Sequence, residues 1–151
     1  ESLYLDLVRS VKERIEAHLH LQELAGLTDF FDILEYGVRE KLTYLRTMPH
    51  SLHFSLRMYY AGDSGLGIKL QRYTVDLVDR MTEQYFGHVD REKFKPGVTP
   101  LQALDLLMYL ADGYVHMQRM AGRELDLDEM MEQYVLWRDM VRQYVYKEEY
   151  Q

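Results

Sequence analysis

The chain has 151 residues, 47% of them hydrophobic and 28% charged, with a formal net charge of −7. That length buries the core of one ordinary domain without staples, while an acidic chain with no clustered Lys and Arg lacks the basic face that phosphate binding needs. The absence of Cys excludes disulfides, thiolate nucleophiles and Cys-based zinc sites and fits a reducing cytoplasm; no apolar run reaches the length of a membrane span and no signal-peptide pattern occurs.

Helical periodicity dominates, with no convincing alternating strand, so the fold class expected is all-α. The first helix is predicted from about Ser2 to His20, with Leu3, Leu7, Val11, Ile15 and Leu19 on one stripe, and Leu24-Ala25-Gly26 ends it or adds a turn. Thr28 is the expected N-cap of the second helix, whose apolar face carries Phe30, Ile33, Leu34, Gly37, Val38, Leu42 and Leu45. Met48-Pro49 is a break, with Pro49 opening a third helix that carries Leu52, Phe54, Leu56, Met58, Tyr59 and Tyr60. Gly62, Gly65 and Gly67 mark a loop. A fourth helix, near Ile68 to Phe86, presents Tyr73, Leu77, Met81 and Tyr85, and Gly87 stops it.

A polar linker, His88 to Val98, leads into the fifth helix. Thr99 is its expected cap, Pro100 its first residue, and Gln102 completes a capping box. It runs to about Met120, with Ala121-Gly122 as the stop. The sixth starts at Asp126 with Glu129 three residues on, and Leu125 and Met130 can staple across the start. Leu127, Met130, Tyr134, Trp137, Val141 and Tyr144 follow the 3,4 spacing of helix-bundle packing. Leu101, Leu104, Leu107, Met108, Ala111, Tyr114 and Val115 cover almost half of the fifth helix. A terminal hairpin with faces this wide can meet its symmetry mate as a four-helix bundle, or be central to a monomer.

Glu1-Ser2-Leu3-Tyr4 resembles the closing residues of the helix-turn-helix module in the tetracycline-repressor (TetR) family, where a Lys-Glu pair and Leu-Tyr lead into a long connecting helix. The order of the later elements is similar to that family's C-terminal domain, and Asp112-Gly113 is similar to an Asp-Gly step common at that point in many members. The resemblance covers essentially the whole chain and implies a six-helix effector-binding and dimerisation domain over residues 1–151, preceded in the parent protein by a DNA-binding head of roughly 50 residues that this chain lacks. It implies a homodimer through the last two helices, a small-molecule cavity among the middle helices, no enzymatic activity, no cofactor, and contact with DNA only through the absent head. A ligand would then act as a repressor's effector, through differential affinity for two states of the dimer.

The expected ligand-binding residues, on the second to fifth helices, are Tyr36, Phe54, Met58, Tyr73, Leu77, Tyr109, Asp112 and His116. They form a mostly apolar set with a few placed polar groups, which suits a small apolar or aromatic ligand. Asp112 and His116 are four apart on one helix, so they can anchor a ligand, ligate a metal with others, or satisfy each other. The expected dimer interface is Leu104, Met108, Ala111, Val115, Met130, Tyr134, Trp137, Val141 and Tyr144. Nine Met and thirteen Tyr suit an adaptable pocket, an interface or a loosely specified core.

Other signals are weaker. Gly62-Asp63-Ser64-Gly65-Leu66-Gly67-Ile68-Lys69 lacks the Lys-Ser/Thr ending and preceding strand of a phosphate loop, and its Gly-Asp-Ser-Gly has no β-barrel context to supply a catalytic His and Asp. No His has a Glu three residues before it, as a di-iron bundle requires, and His50 with His53 is short of a zinc ligand set. Glu129, Glu132, Glu148 and Glu149 read as solvated helix faces. The alternatives are a helical metal-dependent enzyme using Asp112 and His116, and a stand-alone adaptor gripping a partner helix.

Overall fold

The computed structural model describes residues 21–48, 50 and 83–151, together with positions 6, 9, 10, 13, 14 and 17. These residues are all-α apart from loops and one isolated antiparallel bridge between Phe94 and Tyr146. The α-helices with described bounds are α1 (Leu21–Ala25), α2 (Phe30–Thr47), α3 (Pro100–Met120) and α4 (Leu127–Val145). Positions 6, 9, 10, 13, 14 and 17 are helical, as are 83–86, which Gly87 follows in a turn. The third expected helix and most of the fourth lie outside the described residues.

The chain divides into two compact units. The first comprises Glu1–Thr28 and Asp32–His88. Its buried apolar residues include Leu24, Ile33, Leu42, Tyr44, Leu45 and Tyr85. Leu34, Gly37 and Val38 of the expected α2 face are half-buried. Arg39 pairs with Glu35 one turn earlier at 2.7 Å, the i,i+4 spacing that supports an exposed helix surface.

The second unit comprises Asp29–Phe31 and Val89–Gln151. Here local signals set the helix ends. The Thr99 hydroxyl accepts from the Gln102 backbone N–H at 3.2 Å, and the Gln102 side chain accepts from the Thr99 N–H at 2.9 Å, so two otherwise orphaned donors are satisfied. Asp126 Oδ1 accepts from the N–H groups of Asp128 and Glu129. At the end of α3, Gly122 adopts φ +67°. The Gly122 N–H donates to the Arg119 carbonyl at 3.0 Å, and the Arg123 N–H to that of Gln118 at 2.9 Å, the paired bonds of a Schellman stop, which needs a left-handed residue at that step.

The start of α2 differs by one residue from expectation. Asp29, rather than Thr28, holds the capping position, with Oδ1 accepting from the Phe31 N–H at 2.9 Å. The Phe30 N–H donates to Tyr146 Oη at 3.3 Å. The segment expected as a polar linker is likewise more than a connection. Arg91–Lys93 form one 3-10 turn, and Val89 and Phe94 are buried.

Phe94 joins Phe30, Phe31 and Tyr146 in a closed cycle of edge-to-face rings. The centroid distances are 5.0 Å (Phe30–Phe31), 5.0 Å (Phe31–Tyr146), 4.9 Å (Tyr146–Phe94) and 5.8 Å (Phe94–Phe30). Each such pair contributes about 0.5–1.5 kcal/mol beyond the area it buries. Backbone bonds flank the cycle, from the Lys95 N–H to the Val145 carbonyl at 2.8 Å and from the Lys147 N–H to the Lys93 carbonyl at 2.9 Å.

Candidate functional site

Two places in the second unit gather chemically distinctive side chains. The first is the polar setting of the ring cycle. Asp29 is 6% exposed, and its Oδ2 meets Lys93 Nζ at 2.8 Å. One buried carboxylate thus serves a helix start and an ammonium at once, which a desolvated charge requires. The Arg142 guanidinium lies over the rings of Tyr146 and Phe31, at 5.5 and 5.9 Å from their centroids, within cation–π range. Burial, followed by the Asp29 carboxylate, pushes the Tyr146 phenol well above its ordinary value. Every group here is occupied by another, so the cluster is built to hold rather than to react.

The second place is the outer surface of the α3–α4 hairpin. Leu104 and Leu107 of α3, with Tyr134, Trp137, Val141 and Val145 of α4, face inward, and the Tyr114 ring meets Trp137 edge-on at 5.6 Å. On the other side Leu106, Tyr109, Leu110, Met117 and Met120 of α3 are exposed, as are Leu136, Met140 and Tyr144 of α4. Tyr109 is 71% exposed, Met120 72% and Tyr144 68%. A run of large apolar side chains across two adjacent helices is the surface character of an interaction site. Where α3 begins and α4 ends, the surface dips into an open groove of about 380 Å³ whose lining includes Gly97, Val98, Asp105, Leu106, Tyr109 and Tyr144. Its volume falls in the range of small-ligand sites, and it combines one carboxylate with two tyrosine rings.

The expected ligand set falls in three places. Phe54, Met58, Tyr73 and Leu77 lie outside the described residues, as do the Gly62–Lys69 string, His18, His20 and His53. Tyr36 is half-buried on α2 in the first unit. Tyr109, Asp112 and His116 share the exposed face of α3 in the second. Of the expected interface residues, Met108 and Tyr144 are exposed and Ala111, Val115 and Met130 half-buried, whereas Leu104, Tyr134, Trp137 and Val141 are buried inside this chain.

Among the described residues no three His, Cys, Asp or Glu side chains converge to hold a metal ion. No helix of those residues is long and apolar enough to cross a membrane. Comparisons with family profiles, curated proteins and solved structures found no match to this chain.

The ring cycle and the groove were not anticipated from sequence. Phe94 had a faint signal, as a lone aromatic in a polar run just before the Pro96-Gly97 turn. Asp29, Lys93 and Tyr146 had none, because their pairing spans most of the chain.

Proposed function

We propose that this chain is the effector-sensing and dimerisation domain of a TetR-like transcriptional regulator, a cytoplasmic repressor whose DNA affinity changes when a small apolar or aromatic molecule binds. The proposal includes the finer architecture implied by the resemblance: a six-helix bundle whose terminal hairpin joins that of a second copy in a four-helix bundle. The observation that carries it is the apolar outer face of α3 and α4, from Leu106 to Met120 and from Leu136 to Tyr144. A monomer rarely leaves a contiguous apolar surface of this kind in water, and a hairpin face that meets itself closes as a two-fold dimer. The buried stripe of α4 holds the hairpin together within one chain. The exposed residues flanking it form the interface.

Sensing is a population shift: an effector moves the dimer between two arrangements only by the difference in its affinity for them. Two measurements test the reading. Sedimentation equilibrium of the chain is expected to show a reversible dimer, and a monomer across the whole concentration range would remove the interface. The codons upstream of Glu1 in the parent gene are expected to encode a basic helix-turn-helix running into Glu1-Ser2-Leu3-Tyr4. A start codon directly before Glu1 would remove the regulator.

A further inference from the structure

The groove at the open end of the hairpin is framed by parts that other contacts already fix. Gly97 and Val98 belong to a turn that begins at Lys95. The Val98 N–H donates to the Lys95 carbonyl at 3.1 Å, and Gly97 takes φ +82°, the left-handed step that a Pro-Gly turn reserves for glycine. The start of α3 is held by the capping box of Thr99 and Gln102. The end of α4 is held by Lys95, whose Nζ donates to the carbonyls of Gln143 and Tyr144 at 3.0 and 2.9 Å and whose backbone N–H donates to that of Val145 at 2.8 Å. A groove framed in this way keeps its shape without an occupant, which lowers the ordering cost of taking one.

Within that frame the chemistry is one-sided. Asp105 is the one charged side chain among the described lining residues. It is half-buried, and among the described residues its carboxylate has neither an ion-pair nor a hydrogen-bond partner. The nearby groups that could have served it are engaged. Lys95 Nζ holds the α4 carbonyls, and the Gln102 side-chain oxygen accepts from the Thr99 N–H and hydroxyl. Beside the carboxylate stand the rings of Tyr109 and Tyr144, both largely exposed.

A carboxylate flanked by aromatic faces attracts a cation twice, through its charge and through the ring quadrupoles. It repels an anion. A divalent metal ion needs several oxygen ligands and finds one carboxylate. An alkylated ammonium carries no N–H that must be satisfied, and it spreads its charge over methyl groups that can rest on rings and on apolar side chains. We propose that this groove binds an organic cation of the quaternary-ammonium class, with the head between Asp105 and the rings of Tyr109 and Tyr144 and the methyl groups against Leu106 and Val98. The volume of about 380 Å³ accepts such a head with a short body attached. The site shares only Tyr109 with the ligand set expected from sequence, and it does not rest on the dimer reading.

The test is an NMR titration of the whole chain with choline and, separately, with 3,3-dimethylbutan-1-ol, which has the same shape and no charge. Choline is expected to shift the amide signals of Gly97, Val98, Asp105, Tyr109 and Tyr144 together, saturably and with one Kd, and the alcohol to bind at least fivefold more weakly. Asp105→Asn keeps the shape of the side chain and removes its charge. It is expected to weaken choline binding roughly fivefold and to flatten its salt dependence. Tyr144→Leu keeps an apolar side chain and removes the ring face, with an expected loss of roughly threefold. Both positions are on the surface, so the fold should tolerate either change. Sedimentation of the same samples reports the dimer separately. The absence of saturable shifts at these amides with choline would overturn the proposal. So would equal affinity for the alcohol, or choline affinity unchanged in both variants.

Discussion

The ring cycle around Phe94 and the outer face of the α3–α4 hairpin use similar side chains to opposite ends. In the cycle, Phe30, Phe31 and Tyr146 are essentially inaccessible to water, each ring lies edge-to-face against two others, and the buried carboxylate of Asp29 is paired with Lys93. On the hairpin face, Tyr109, Met117, Met140 and Tyr144 project into solvent, and the nearby groove holds an acid with space beside it. Aromatic content alone therefore does not separate core from interface. What separates them is whether contacts within the chain close.

The sharpest way to break that comparison is Phe94→Ala. It opens the ring cycle and leaves a cavity, and is expected to destabilise the chain by about 3–5 kcal/mol in urea unfolding. A loss below 1 kcal/mol would mean that the cycle is ornamental. Asp29→Asn comes next. It removes the charge facing Lys93 while leaving an oxygen to cap α2, with an expected loss of about 2 kcal/mol, in the range for hydrogen bonds to charged groups; an unfolding midpoint equal to wild type would show that the ammonium finds water instead.

Tyr146→Phe is expected to lose about 1 kcal/mol with the hydrogen bond from the Phe30 N–H, and it also changes the alkaline limb. The Tyr146 phenol holds its proton more tightly in the folded chain than in the unfolded one. Its stabilising effect is therefore complete below about pH 10, where the unfolded phenol is still protonated, and is lost as the pH rises further. The variant should show a shallower fall in stability above that pH, and an unchanged slope would assign the fall to other groups.

Met140→Ser has the smallest expected effect. On the hairpin face it should change monomer stability by less than about 0.5 kcal/mol, measured at high dilution, while lowering the stability gained on concentrating the chain, which reports dimer formation. A large loss at high dilution would make the face part of the core and erase the contrast.

How legible each region was follows the range of its interactions. Thr99, Gln102, Asp126 and Gly122 act on backbone groups within a few residues, so their patterns alone place both ends of α3 and the start of α4. The stripe of Tyr134, Trp137 and Val141 was legible as apolar, but periodicity defines a face without naming the neighbour that covers it; here the same chain's α3 does. Asp29, not Thr28, caps α2, and its other oxygen meets Lys93, far along the sequence. Phe94 looked like part of a connection for the same reason. The groove joins the turn at Gly97 to both ends of the hairpin, a combination with no signature in any one window.

The bond from the Phe30 N–H to Tyr146 Oη joins residues 116 positions apart, which has a kinetic consequence. Hairpin contacts between α3 and α4 close short loops, whereas the ring cycle must wait until nearly the whole chain has been brought together. Long closures carry a larger entropy cost before any contact rewards them. The hairpin should accordingly be formed at the folding transition state and the cycle after it, so that substitutions at Phe94 chiefly hasten unfolding while those at Trp137 slow folding. The cycle then acts as a latch on the lifetime of the folded chain.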